Sequence, residues 1–172
     1  MHFKYLIFFS VLLAFTSCKQ SQDETKESLT QQNKTQDITE QDIATLKYVE
    51  YILDSKTNNI VKDWPEYTQL EEVITNVKKG DLSYFIDNEK VTKLLVKELK
   101  QNIPRELNSE SILSRILVLE TKLFQLESLS NLTTTTKEEL LENIKAFLVS
   151  FSNLSFQMNK KIEFDNRSIE KP

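Results

Sequence analysis

The apolar residues follow a helical period from residue 43 to near the end of the chain. Spacings of three and four residues place them on one side of a helix, as in amphipathic helices that pack on a common core. The first stripe predicts a helix from Ile43 to about Lys62, and the poor helix formers at residues 57–59 are expected to loosen or split it. Its apolar positions are Ile43, Leu46, Val49, Ile52, Leu53, Ile60 and Val61.

Start and stop signals divide the middle of the chain into further helices. Asp63 is predicted to cap a helix that has Pro65 in its first turn and ends before Gly80. A short helical piece over residues 82–86 follows. The next stripe predicts a helix from about residue 91 to 103, because Pro104 cannot continue it.

Two long helices, each about 35–40 Å long, are predicted at the end of the chain, with apolar stripes over residues 112–126 and 141–162. The first is expected to begin at a cap formed by Asn108 or Ser109. The second is expected to begin at a capping box of Thr135 with Glu138 or of Thr136 with Glu139. The polar residues 131–136 between them break the apolar pattern. Helices joined by so short a turn pack as an antiparallel hairpin, which the shorter helices would cover. The sequence therefore predicts an all-α fold, an antiparallel helical bundle of four to five helices over residues 43–165.

The first eighteen residues have a different pattern. Lys4 forms a short positive region, the apolar run from Tyr5 to Phe15 follows, and two small residues precede Cys18. This layout is typical of a secretory signal peptide, and about 11 apolar residues are too few to cross a bilayer roughly 30 Å thick. We therefore predict a signal peptide over residues 1–17. Ordinary cleavage near Cys18, without lipidation, and retention as an uncleaved anchor are the alternatives.

Residues Ala14 to Cys18 resemble the cleavage site of bacterial lipoprotein signal peptides. In that family the cysteine is lipidated and becomes the first residue of the mature protein, so the resemblance implies lipidation of Cys18. The lipoprotein signal resemblance covers only about the first 18 residues, and the helical domain has a general likeness to small helical lipoproteins of Bacteroidetes. The resemblance implies a location in the bacterial cell envelope, and we expect the outer membrane, on either its periplasmic or its surface face.

A very polar segment separates Cys18 from the first predicted helix. Residues 19–42 contain only Leu29 and Ile38 as large apolar residues, which is too little to offset the entropy lost on ordering. We predict that residues 18–42 comprise the lipidated cysteine and a disordered tether, and that residues 166–172 form a disordered tail.

Composition narrows the possible chemistry. His2 lies in the predicted signal peptide and Cys18 is the only cysteine, so the mature chain has no catalytic triad and no zinc site built on these residues. Loss of Lys4 with the signal peptide takes the formal charge from −4 to −5, which is unlike the basic balance of a nucleic-acid binder. We predict no enzymatic activity, no cofactor, no metal and no nucleic-acid partner. Only carboxylate pairs remain for an enzyme, and elimination alone names Glu71, Glu72, Asp81 and Asp87.

Trp64 and Tyr67 lie on either side of Pro65 and are candidate partner contacts, because exposed aromatic residues are enriched at interface hot spots. In the alternative interpretation, Trp64 packs onto the bundle where the helix begins.

These features together favour a lipid-anchored, non-enzymatic protein-interaction or scaffold module that binds an envelope protein. The wide apolar face over residues 141–162 is either plain core or a groove or dimer seam, so a homo-oligomer is possible. An inhibitor or immunity-type lipoprotein is one alternative function. A helical bundle that binds a small molecule or lipid is another, with a cavity lined by Leu123, Phe147 and Phe151.

Overall fold

The computed structural model describes residues 37–167 and places them in an all-α fold, as the sequence predicts. The described part contains six α-helices and no strand. A 3-10 turn, Ser83–Phe85, lies between the third and fourth of them. The helices are α1 (Glu40–Ala44), α2 (Ser55–Val61), α3 (Pro65–Lys78), α4 (Glu89–Gln101), α5 (Glu110–Ser130) and α6 (Lys137–Asp165).

The antiparallel hairpin of α5 and α6 is the centre of the fold, and this prediction is confirmed. Thr136 begins α6 through a capping box, in which the Glu139 N–H donates to Thr136 Oγ1 over 3.2 Å and the Thr136 N–H donates to the Glu139 carboxylate over 2.9 Å. Gln157 Nε2, late in α6, lies 3.4 Å from Ser111 Oγ at the start of α5. The two helices therefore run in opposite directions along each other.

The apolar stripes of α5 and α6 are buried against each other and against α3. Each buried Leu, Ile or Phe side chain stabilises the fold by roughly 1.5–3 kcal/mol relative to exposure. Most of the broad face of α6 is therefore covered within this chain, in agreement with the plain-core interpretation, while the homo-oligomer stays a prediction. The buried members are Ile112, Ile116, Leu119, Leu123 and Leu126 on α5 and Leu140, Ile144, Phe147, Leu148, Leu154, Met158 and Ile162 on α6.

Helices α3 and α4 cover the hairpin. Pro65 is the first residue of α3, where its missing N–H would have no helical partner in any case. The predicted cap at Asp63 is wrong, because Trp64 occupies the capping position and makes no side-chain capping bond. Lys100 Nζ on α4 lies 2.8 Å from the Glu120 carboxylate on α5, which ties the two helices together.

The single helix predicted from Ile43 to Lys62 is wrong in its middle. The structure has two short helices there, α1 and α2, and residues 46–54 between them form an extended segment that we call the strap. β-Branched and aromatic residues such as Tyr48, Val49, Tyr51 and Ile52 favour extended backbone over helix. Leu46, Tyr48 and Leu53 still pack against the core, so the apolar positions are used in an extended conformation.

The helical domain begins earlier than residue 43. Ile38 packs against the core and Thr39 starts α1 through a capping box with Asp42, so the segment predicted as a tether to residue 42 is ordered at this end. Gly80 lies against Ile38 and Thr39 at the start of the domain and adopts φ +83°. A Cβ at this position would lie 2.6 Å from the Ile38 carbonyl oxygen. Only glycine fits both the backbone angle and the close approach.

At the other end of the domain, Asn166 follows α6 and donates from its side chain to the Ile162 carbonyl over 2.7 Å. The start of the predicted tail is thus part of the helix end. The predicted signal peptide, Cys18, the tether up to residue 36 and the tail residues 168–172 lie outside the described residues, and the predictions made for them stay predictions.

Candidate functional site

The strap lies along α6 and is held there by two side chains of that helix. Ser152 Oγ accepts the Tyr51 N–H over 2.8 Å and donates to the Val49 carbonyl over 2.9 Å. Asn159 Oδ1 accepts the Asp54 N–H over 3.0 Å, and its Nδ2 donates to the Ile52 carbonyl over 2.8 Å. Two polar side chains therefore satisfy four backbone groups that a helix or sheet would otherwise pair.

The spacing of these two side chains along α6 matches the spacing of the strap backbone groups that they bind. Seven residues of helix from Ser152 to Asn159 rise about 10.5 Å, which is two turns on one face. Three extended residues from Tyr51 to Asp54 span about 10 Å. The strap can therefore follow α6 without stretching, and this match explains why the segment is extended at this place.

The solvent side of the strap is an exposed apolar surface, which we call the strap surface: Val49, Tyr51 and Ile52 with Phe156 of α6. The exposed fractions are 65% for Val49 and 79% for Ile52, and 40% and 37% for Tyr51 and Phe156. The two rings lie with centroids 4.6 Å apart, and Lys160 Nζ lies 5.7 Å from the Phe156 centroid. Isolated exposed apolar residues are common, whereas here three lie within four residues of the strap, and one of them, Tyr51, contacts the exposed Phe156 ring.

An ion pair fixes the strap to α3 on its other side. Glu50 pairs with Lys78, near the end of α3, and both side chains are partly exposed. A solvent-exposed pair of this kind contributes about 0–1 kcal/mol. The pair mainly fixes the position of the strap. Glu50 and Lys78 both line a pocket between the strap, α3 and α6.

The two aromatic residues that the sequence offered as partner contacts lie in the core. Trp64 and Tyr67 are both 0% exposed, so neither is available to a partner. Their rings stack with centroids 5.5 Å apart, and Tyr67 stacks in turn on Phe151 of α6 at 5.7 Å. The physical reason is the position of Pro65, which starts α3 and directs both side chains against the hairpin. The structure agrees with the alternative, in which Trp64 packs at the helix entry.

The strap surface was missed in the sequence because its apolar residues also fit a helical period. The signal that points to it is the run of aromatic and β-branched residues from Tyr48 to Ile52, which favours extended backbone. The three residues predicted to line a cavity, Leu123, Phe147 and Phe151, differ in their surroundings. Leu123 and Phe147 are buried core residues, and of the three Phe151 alone lines the pocket beside the strap.

Within residues 37–167 no group of three or more acidic residues is placed to hold a metal ion. In the same range no helix has the length and apolar character needed to span a membrane. Of the acids named by elimination, Glu71 and Glu72 lie on α3, and Asp81 and Asp87 lie beyond its end. No protein-family model, curated protein or solved structure matches this chain.

Proposed function

We propose that this chain is a lipid-anchored, non-enzymatic protein-interaction module of the bacterial cell envelope, and that the strap surface is its contact with a partner protein. The observation that carries the proposal is the exposed apolar patch of Val49, Tyr51, Ile52 and Phe156. A single polypeptide gains nothing in stability from keeping such residues in water, whereas a partner that covers them gains free energy of association.

The composition of the strap surface supports a protein partner. Tyr and Phe are large, rigid side chains, and residues of this kind supply much of the binding energy at protein interfaces. The Tyr51 and Phe156 rings already contact each other, so little side-chain entropy is lost when a partner covers them. Lys160 beside Phe156 gives the patch a charged border of the kind that surrounds such contacts.

The anchor part of the proposal depends on the sequence around Cys18. Each buried methylene of a lipid chain contributes roughly 0.8 kcal/mol, so two or more chains hold a protein stably at a membrane. A polar segment follows Cys18 and precedes the helical domain. In this proposal the segment lets the domain, and with it the strap surface, reach a partner at the same membrane.

The decisive experiment is a crosslinking pull-down from native membranes with the tagged full chain. Two variants change the strap surface, Ile52→Asp and Phe156→Asp, and Leu117→Asp on α5 is the matched control. Leu117 is 53% exposed, so the control places the same charge on an exposed apolar site elsewhere. Helicity and melting temperature of each variant are measured to establish that it is folded.

The proposal predicts one dominant envelope protein that both strap variants lose and the control retains. Loss of a hot-spot residue weakens binding at least about tenfold, which a pull-down detects. Equal recovery with all three variants would place the contact elsewhere on the domain. Recovery of this chain alone would favour self-association over an envelope partner.

A further inference from the structure

The backbone of the strap has two edges, and α6 pairs with one of them. In an extended chain, the N–H and C=O groups of successive residues point alternately to opposite edges. Ser152 of α6 bonds to the Val49 carbonyl and to the Tyr51 N–H, so the backbone groups of these two strap residues point towards α6. The groups of Tyr48 and Glu50, which alternate with them, therefore point away from α6.

The edge that points away from α6 is unpaired. Within residues 37–167, the N–H and C=O groups of Tyr48 and Glu50 make no hydrogen bond. Glu50 does bind Lys78, but this ion pair uses its side chain and leaves its backbone free. Unpaired backbone groups in a stable fold are almost always groups that water reaches. The two N–H and two C=O groups of this edge are therefore available to another chain.

The strap is also accessible along this stretch. Tyr48 is partly buried against the core, and the other residues from 47 to 52 are exposed. An accessible extended segment with an unpaired edge is the template to which a second chain adds as a β-strand. In that mode of binding, main-chain hydrogen bonds supply affinity and the alternate side chains supply specificity.

The exposed side chains indicate what an added strand would carry. Lys47, Val49 and Tyr51 alternate along the strap, so they share one face, and all three are exposed. Neighbours across two paired strands contact each other on the same face, so apolar residues of a partner fit opposite Val49 and Tyr51. Lys47 makes no ion pair in the part of the chain that the structure describes. An acidic residue opposite Lys47 would supply the complementary charge.

We propose that the strap binds an extended segment of a partner protein as an added antiparallel β-strand, paired with the backbone of Tyr48 and Glu50. The segment carries apolar residues opposite Tyr51 and Val49 and an acidic residue opposite Lys47. The antiparallel direction lets Tyr48 and Glu50 each exchange two hydrogen bonds with one opposed residue. This inference rests on the proposed function, because it specifies how a protein partner contacts the strap surface.

The probe is a blocked seven-residue peptide with valine at its second and fourth positions, aspartate at its sixth and threonine elsewhere. In the proposed register, its third and fifth N–H groups face Glu50 and Tyr48, respectively. N-methylation of these two amides removes both donors and keeps every side chain. The matched control peptide carries its two methyl groups on the second and fourth amides, which face away from the strap.

The test uses the full chain purified in detergent. Amide chemical shifts give the dissociation constant, and hydrogen exchange at the amides of Tyr48 and Glu50 reports on backbone pairing. Lys47→Glu reverses the charge that faces the aspartate of the peptide. Lys97→Glu on α4 is the matched control, because Lys97 is exposed and makes no ion pair among the described residues.

The peptide should bind saturably with a dissociation constant of about 1 mM or tighter. Exchange at the Tyr48 and Glu50 amides should slow at least about tenfold at saturation, because both become hydrogen-bonded. Methylation of the third and fifth amides should weaken binding at least about tenfold, and methylation of the second and fourth less than about threefold. Lys47→Glu should weaken binding about threefold or more, while Lys97→Glu leaves it unchanged.

Four results would overturn the inference. They are no saturable binding, unchanged exchange at both amides, a loss on methylation of the third and fifth amides no greater than in the control peptide, and equal effects of the two lysine variants. The pull-down that tests the proposed function depends on side chains of the strap surface and not on backbone pairing. Failure of strand addition is therefore distinguishable from failure of the proposed function.

Discussion

Ser152 and Asn159 lie seven residues apart on α6, and each satisfies one N–H and one carbonyl of the strap. Because seven residues are two helical turns, both side chains lie on the same face. This relationship determines the path of the strap, and through it the strap surface and the pocket.

Loss of either side chain should loosen the strap. Ser152→Ala and Asn159→Ala each remove two hydrogen bonds to the strap, at a cost of about 0.5–1.5 kcal/mol for each bond, since these exposed or partly buried backbone groups can bind water instead. Hydrogen exchange should become faster at the amides of Tyr51 and Asp54, respectively. Asn143→Ala is the control, since Asn143 bonds only to the Glu139 carbonyl of its own helix. Unchanged exchange at both amides would contradict the assigned role of these side chains.

The core of the hairpin should be sensitive to truncation. Leu123→Ala removes a side chain that is 1% exposed and leaves a cavity, so the free energy of unfolding should fall by about 2–5 kcal/mol. Leu117→Ala on the outer side of α5 should change it by about 0.5 kcal/mol or less. Denaturant unfolding followed by circular dichroism measures both, and similar costs for the two would argue against the described packing of α5.

Gly80 should not tolerate a side chain. Gly80→Ala places a Cβ 2.6 Å from the Ile38 carbonyl and imposes a left-handed backbone on alanine, which by itself costs roughly 1–2 kcal/mol. We expect a lower melting temperature and faster hydrogen exchange in α1. Lys79→Ala, at the neighbouring exposed position, should leave both unchanged. A Gly80→Ala protein as stable as the parent chain would contradict the close approach of the entry segment.

The stability of α1, the first helix of the domain, should depend on pH through the ionisation of Asp42. Hydrogen bonds from Lys137 and Thr39 lower the pKa of Asp42 from 3.8 to about 2. The folded protein therefore holds the charged form more tightly than the unfolded chain, and the resulting stability is present above about pH 4 and lost as the pH falls through about 2.

Asp42→Asn should accordingly lower the melting temperature at pH 7 and have a smaller effect at pH 2. Glu40→Gln, on the same helix, is the control and should not show this dependence. The melting temperatures of the parent chain and both variants are measured by thermal unfolding at pH 7 and at pH 2 and compared. A destabilisation by Asp42→Asn of the same size at both would show that the charge of Asp42 plays no part.

Membrane attachment should depend on Cys18. In the proposed function, Cys18→Ala removes the lipidated residue, so the chain should move from the membrane pellet to the soluble fraction after cell fractionation. Metabolic labelling with a lipid precursor should mark the parent chain and not the variant. Labelling of neither protein, together with pelleting of both, would favour an uncleaved anchor.

Helical periodicity was a sound guide where helices pack on one continuous face. The α5–α6 hairpin followed from four-three spacing, a polar turn and a capping box, all of which act within a few residues. The strap shows where this guide fails. Leu46, Val49, Ile52 and Leu53 satisfy a helical period as well as Ile112 and Ile116 do, but the extended alternative gains hydrogen bonds from side chains about 100 residues further along the chain.

Trp64 and Tyr67 illustrate the same limit for sites. Two aromatic residues on either side of Pro65 are compatible with a protein interface and with a buried core. Only the 0% exposure of both residues in the structure shows that they belong to the core. The strap surface was not found in the sequence for a related reason. It is assembled from the strap and from Phe156 of α6, about 100 residues apart in the chain, so no local pattern marks it.

The sequence by itself determined the all-α class, the two long helices and their antiparallel pairing, because helix periodicity, caps and short turns are local. The tertiary structure alone decided that residues 46–54 are extended and that Trp64 and Tyr67 are buried. These features depend on contacts between distant segments, whose free energies compete with local helical preference and at the strap exceed it.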